Sequence, residues 1–320
     1  MVHGSVTAAD TVSIPAPALL RSLSILLGHL VVALIALVAI GGATRVMEAG
    51  LACPDWPLCF GSLIPGRQMN LQVFLEWFHR LDAFLVGLTL LAMTAISLIR
   101  RHSLPGWLPW VSGLTLLLVA LQGLLGALTV LGLLASGTVT AHLLTALLLV
   151  LVVSACREAL LMQRPPATIP LPQWWWPLPL LATAVLFGQC FLGGAMATRW
   201  ASSLCLESGR SCHWLLLHRY GAWGAVSALL LLATASLALP RVHRPMTIRA
   251  VTAGLLVPLQ VLLGVTSLRL QLSEPLVTVG HQILAALLVA LLGSLWGRTL
   301  VAPSSSRAIP PSTPLEMAHG

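Results

Sequence analysis

Apolar runs of about 20 residues follow one another along nearly the whole chain, each long enough to cross a bilayer as a helix. They fall at about 23–44, 75–99, 107–131, 138–160, 174–198, 214–238, 249–269 and 276–298. Backbone N–H and C=O groups in hydrocarbon must be paired within a helix or around a closed barrel. These runs are continuous rather than alternating, which excludes a barrel. Hydrophobic residues make up 58% of the chain and charged residues only 8%, far from a soluble domain. The expected fold class is an all-α integral membrane protein with eight transmembrane helices. The first run is too long for a signal-peptide core and lacks a small-residue cleavage site, so it reads as a retained helix.

The formal net charge of +8 does not point to nucleic acid, because no soluble domain exists to carry a basic face. All 17 basic residues are arginines, and their placement reads as topology. Arg100, Arg101, Arg157, Arg164, Arg241, Arg244, Arg249, Arg298 and Arg307 fall in alternate loops and the C-terminal tail. The other loops hold only Arg45, Arg67, Arg199, Arg210 and Arg269. By the positive-inside rule the first set is cytoplasmic, as are both termini. Residues 1–22 and 301–320, rich in Pro, Ser, Thr and Ala, read as cytoplasmic tails without fixed structure.

The chain repeats itself. IGGATR (40–45) returns as LGGAMATR (192–199), and HRLDAFLVG (79–87) as HRYGAWGAV (218–226). LQGLLG (121–126) returns as LQVLLG (259–264), and VTAHLLTALLLVLVV (139–153) as VGHQILAALLVALLG (279–293). Each half holds four helices, an even number, so both enter the membrane in the same sense. The expected architecture is two tandem parallel-repeat four-helix bundles, 23–165 and 170–300.

His79, His142, His218 and His281 lie near the starts of the even-numbered helices, all in the outer half of the membrane and two per bundle. One intramembrane histidine is ordinarily satisfied by a neighbouring hydroxyl or carbonyl. Four at repeat-related positions and equal depth point instead to ligation, since intramembrane ionisable groups are costly and mark function. Zinc would recruit further Cys, His or carboxylate ligands. Two histidines from two helices suit an iron porphyrin ligated from both faces. No C-x-x-C-H motif occurs, so such a haem is held noncovalently. Gly41, Gly42, Gly193, Gly194, Gly123 and Gly126 allow either close helix approach or room for a macrocycle. Arg80 and Arg219, next to histidines, and Arg45 and Arg199, at outer helix ends, are candidates for the propionates.

Cys53 and Cys59 share one outer loop, and Cys205 and Cys212 another. Local disulfides fit an oxidising outer face, and redox-active dithiols are the alternative. The halves also differ. Glu76 stands three residues before His79 on the same helical face, whereas Leu215 precedes His218. A carboxylate in one copy suggests divided labour: a permanent haem on His218 and His281, and a molecule that is changed near His79, His142 and Glu76. Helix-dipole stabilisation or an ion pair with Arg80 would also account for Glu76. Asp82 and His29 have no assigned role.

GGATRVMEAGLACPDWPLCFG, EWFHR and the histidine near the start of each even-numbered helix resemble the haem A synthase family over nearly the whole membrane region. The resemblance implies oxidation of a methyl group of haem O to a formyl group by successive hydroxylations, giving haem A for the terminal oxidase. It implies a noncovalent haem b with His218 and His281 as iron ligands, substrate haem near His79 and His142 with Arg80, and Glu76 as the catalytic group. It gives Cys53 and Cys59 a redox or structural role. The implied partners are haem O, haem O synthase upstream, a separate electron acceptor, the lipid bilayer and further copies of the chain; no nucleic acid is expected. The implied location is a bacterial inner membrane, with the haem sites toward the outer face. The competing readings are a b-type cytochrome that only carries electrons, which would place histidines at both membrane depths, and a quinone-linked thiol oxidoreductase, which C-x-x-C would favour. A transporter is a further one, and the parallel repeat does not exclude it.

Overall fold

The computed structural model describes residues 17–162, 169–196 and 213–302. Eight long helices run in the order α1 (Pro17–Val46), α2 (Leu71–Ile99), α3 (Leu108–Leu131), α4 (Ser136–Leu161), α5 (Pro177–Met196), α6 (His213–Ser236), α7 (Arg244–Arg269) and α8 (Pro275–Val301). All eight are long and apolar enough to cross a membrane, and no strand occurs among the described residues. The chain is an all-helical, multi-pass membrane protein.

The helices follow the apolar runs, but α1, α2 and α7 begin well before them. α1 begins at Pro17, so residues 17–22, expected in the N-terminal tail, are helical. Hydropathy marks the stretch that matches hydrocarbon, whereas a helix continues through good formers such as Ala18, Leu19, Leu20 and Arg21. α2 starts at Leu71 because Asn70 caps it, its Oδ1 accepting the Val73 N–H at 3.0 Å. The rest of the two tails and residues 163–168 lie outside the described residues.

α1 packs on α2 and α4, α2 on α3, and α3 on α4; α5, α6, α7 and α8 repeat the same circuit, with α8 touching α5. The two circuits meet chiefly along α4 and α8, with α1 also touching α8 and α4 touching α5. The α4–α8 seam is a backbone contact. A Cβ on Gly297 would stand 2.2 Å from the Ala155 carbonyl oxygen, and one on Gly293 2.4 Å from that of Leu151. Lipid tails are as apolar as leucine, so helices in a membrane associate by close packing at small residues. Leu147, Val150, Leu288 and Leu292, on the same two helices, are fully buried.

At the end of this seam away from the histidines, the buried Glu158 of α4 gathers three arginines. Oε1 accepts from Arg157 at 3.0 Å and Arg249 at 2.8 Å, and Oε2 from Arg298 at 2.8 Å. Arg249 also donates to Ser294 Oγ and to the Pro245 carbonyl. Charge counting treats these arginines as topology markers only. Packing shows that they also neutralise a buried carboxylate shared by α4, α7 and α8, whose isolation would cost several kcal/mol.

Gly297→Ala is expected to force α4 and α8 apart, at an overpacking cost of about 1–3 kcal/mol, and to lower the thermal midpoint of the detergent-solubilised protein. Gly113→Ala, with nothing within 4 Å of the added atom, is the control and does not lower the midpoint.

Candidate functional site

Each of the four histidines lies one and a half to two and a half turns into an even-numbered helix, facing a glycine near the end of the odd-numbered helix before it. His79 Cε1 is 3.2 Å from where a Cβ on Gly41 would stand. For His142 and Gly126 the distance is 3.6 Å, for His218 and Gly193 2.9 Å, and for His281 and Gly264 2.9 Å. A side chain at Gly193 or Gly264 would push the ring out and one at Gly41 would crowd it, whereas a Cβ at Gly126 would sit in ordinary contact, so three of these glycines serve the imidazoles as well as helix approach. Gly42 and Gly194 do the other job. Gly42 faces the side chain of Gln282, whose Nε2 donates to the Val38 carbonyl at 3.2 Å, and Gly194 faces Thr140 and Leu143. Gly123 meets nothing within 4 Å.

The structure brings the histidines together in the pairs expected from sequence. The ring centres of His79 and His142 are 6.5 Å apart, with planes at 75°. His218 and His281 lie within electrostatic reach of each other. With metal–nitrogen bonds of about 2 Å, two imidazoles on opposite sides of one ion have centres roughly 6 Å apart, a separation close to that of the first pair. Among the described residues no three His, Cys, Asp or Glu side chains converge on a metal-sized site.

A glutamine stands four residues before three of the four glycines. Gln122 Nε2 donates to the His142 carbonyl at 3.0 Å. Gln189 Nε2 donates to the His218 carbonyl at 2.8 Å and lies 3.0 Å from His218 Nδ1. His281 Nδ1–H donates to the Gln260 carbonyl at 3.1 Å, which leaves Nε2 with the lone pair a ligand needs. The Gln-x-x-x-Gly spacing is legible in LQGLLG, GQCFLGG and LQVLLG, and reading those segments only for glycine missed it.

Glu76 is buried at the start of α2, and both its oxygens are engaged. Oε2 accepts the Cys53 N–H at 2.7 Å, and Oε1 accepts from Arg80. Arg80 also donates to the carbonyls of Asp55, at 2.6 Å, and Leu58. Cys53 and Cys59 are joined in a disulfide and fully buried. The loop therefore folds down onto α2, with Trp77 Nε1 donating to the Leu63 carbonyl at 2.6 Å. Each carboxylate oxygen of Glu76 keeps a second lone pair for another partner.

The remaining candidates divide. Arg45, at the end of α1, lies within electrostatic reach of His281, across the two circuits. Arg219 is exposed. Arg199, Cys205 and Cys212 lie outside the described residues. Cys156 and Cys190 are free thiols, and His29 Nδ1 pairs with the Ile25 carbonyl of its own helix at 3.0 Å.

Fold and site together define a multi-pass helical membrane protein with two repeat-related histidine pairs near one end and a disulfide-closed loop above one of them. The chain belongs to the COX15-CtaA family of cytochrome oxidase assembly proteins, whose model matches residues 24–292. It is 30% identical to the haem A synthase of Erythrobacter litoralis over 80% of its own length and 90% of that protein. It is 28% identical to the haem A synthase of Sphingopyxis alaskensis over 80% and 86% of the two chains. A match to the haem A synthase of Shewanella oneidensis is 31% identical but spans 52% of this chain and 54% of that one.

The loop carries its own pH dependence. The Asp55 carboxylate accepts the Gly61 N–H at 2.8 Å and the Phe60 N–H at 2.7 Å. The Gly61 N–H foremost, then the Phe60 N–H and the charge of Arg80, hold this carboxyl below the usual carboxylate range against the opposing effect of desolvation. A depressed folded value means the stabilisation is complete above the unfolded value of about 3.9 and is lost as pH falls through the lower folded one. Hydrogen-exchange protection of the Phe60 and Gly61 amides is expected to hold at about pH 5 and to be lost only in acid well below the unfolded carboxyl value, while the α2 amides stay protected.

Proposed function

We propose that the chain oxidises a methyl group of haem O to the formyl group of haem A, the activity its relatives' shared name implies. The eight helices act as two tandem four-helix bundles, 23–165 and 170–300, set in a bacterial inner membrane with both termini cytoplasmic and the histidines toward the outer face. The second bundle holds a noncovalent haem b on His218 and His281, with Arg45 and Arg219 as propionate partners. The first bundle receives haem O from its synthase, between His79 and His142.

The observation that carries this reading is Glu76. It is the buried carboxylate nearest in sequence to a histidine pair, it lies three residues before His79, and its repeat counterpart, Leu215, has no acid–base chemistry. Turning a methyl into a formyl group takes two hydroxylations, each removing two electrons, and loss of water from the resulting geminal diol. The second-bundle haem, when bound, supplies a centre through which electrons leave toward an acceptor outside the chain. Glu76 stabilises positive charge developing at the methyl carbon, or takes the proton of an attacking water, and its effect is greatest in a dry site where the carboxylate is already held. Arg80 and the Cys53 N–H hold it there.

In cells that also make haem O, Glu76→Gln keeps an acceptor for the Cys53 N–H and the helical fold but is expected to reduce haem A in extracted pigment by at least about a hundredfold. Unchanged haem A would overturn the role. His218→Ala is expected to abolish the low-spin bis-histidine spectrum of the purified protein; an unchanged spectrum would place the permanent haem elsewhere.

A further inference from the structure

The charges at the end of the α4–α8 seam do not balance. Arg157, Arg249 and Arg298 bring three positive charges to the single carboxylate of Glu158, and no other acidic side chain pairs with them among the described residues. Arg157 and Arg249 bond the same oxygen, Oε1, so two guanidinium groups of like charge are held side by side. Water screens them incompletely: Arg157 is the most open, with 37% of its side chain exposed, while Arg249 and Arg298 are largely buried. Donors are in excess as well. Arg157 reaches Glu158 through Nη1 alone and Arg298 through Nε alone, which leaves most N–H groups of both without a protein acceptor among the described residues.

The cluster comes from neither the repeat nor topology alone. Glu158 and Arg157 belong to the first half, Arg249 and Arg298 to the second. By the offset of the histidines, Glu158 has Gly297 as its counterpart, Arg157 has Trp296 and Arg298 has Ala159, so the pseudo-equivalent place lacks these charges. Arginines that serve orientation alone can project into water, whereas these converge across the junction of the halves. Beside them the surface turns apolar. Arg157 Nε lies against Gly28 of α1, 3.1 Å from where a Cβ would stand. Ile25, one turn nearer the start of α1, and Leu161, one turn beyond Arg157 on α4, are both exposed. An arginine set near helix ends, flanked by exposed aliphatic side chains, matches the two chemistries of a phospholipid, an anionic headgroup and hydrocarbon.

We propose that Arg157, Arg249 and Arg298 form a binding site for the phosphate of one anionic phospholipid, whose headgroup bridges the two halves at the end of the seam away from the histidines. Guanidinium groups meet phosphate oxygens in a planar fork, where lysine would act as a point charge. Glu158 holds the three arginines together and leaves the net positive charge that draws the lipid. The inference is independent of the haem reading.

The test titrates the full-length, delipidated protein in detergent with phosphatidylglycerol and counts bound lipid by native mass spectrometry. One phosphatidylglycerol per chain is expected to bind well ahead of phosphatidylcholine, whose phosphate is offset by its own cation. Arg157→Gln, which can still donate to Glu158, is expected to weaken phosphatidylglycerol binding by about fivefold or more. Arg244→Gln, at an exposed arginine of the same end outside the cluster, is expected to leave it unchanged. Circular dichroism checks the helicity of each variant. Arg157→Lys, which keeps the charge and loses the fork, is expected to weaken binding in the same direction and decides the matter should Arg157→Gln fail to fold. Equal binding of the two lipids, or equal effects of Arg157→Gln and Arg244→Gln, overturns the proposal. Displacement of the lipid by millimolar inorganic phosphate would make free phosphate the occupant and overturn the assignment to lipid.

Discussion

Everything at the histidine end depends on an imidazole lying against a bare backbone. Gly41, Gly126, Gly193 and Gly264 stand near the ends of the odd helices, and each faces a ring from the next helix. The pattern needs no long-range design beyond the repeat, because a glycine at the end of one helix and a histidine near the start of the next are brought level by the connecting loop. It constrains the ring at Gly41, Gly193 and Gly264, where a Cβ would crowd or displace it. In lipid, where burial gives little specificity, such steric fits and a few polar contacts decide which helix faces touch.

The same economy holds between the halves. Gly42 admits Gln282 from α8, and Gly194 admits Thr140 and Leu143 from α4, so the residue after each second histidine lies on the glycine next to the one facing the other half's first histidine. The two sites are therefore mechanically adjacent, and Arg45 of α1 reaches toward His281. The α4–α8 backbone contact and the Glu158 arginine cluster anchor the opposite end.

Three differences between the halves lie on α1 and α2 around His79. Glu76 replaces a leucine, Asp82 replaces a glycine, and Leu37 on α1 stands where α5 has a glutamine. Glu76 is also the anchor of the disulfide-closed loop, through the Cys53 N–H and Arg80. The carboxylate proposed for the chemistry is thus the one that holds the loop, so the order of the loop and the position of the acid are coupled.

Hydropathy over twenty residues and the spacing of repeats are properties of the chain itself. For that reason the eight helices, the duplication, the pairing of His79 with His142, and the singular Glu76 were all legible before any contact was known. The starts of α1, α2 and α7 were misjudged by several residues, because an apolar run measures hydrocarbon thickness and a helix ends where its caps are. What only the tertiary structure decided are contacts between residues remote in sequence. Glu158 meets Arg298 140 positions away, and Gln282 meets Val38 244 away. The Nδ1 atoms of His79 and His142, buried without a hydrogen-bond partner among the described residues, belong to the same class, because a missing hydrogen bond is defined by everything packed around a ring, and no local pattern records it.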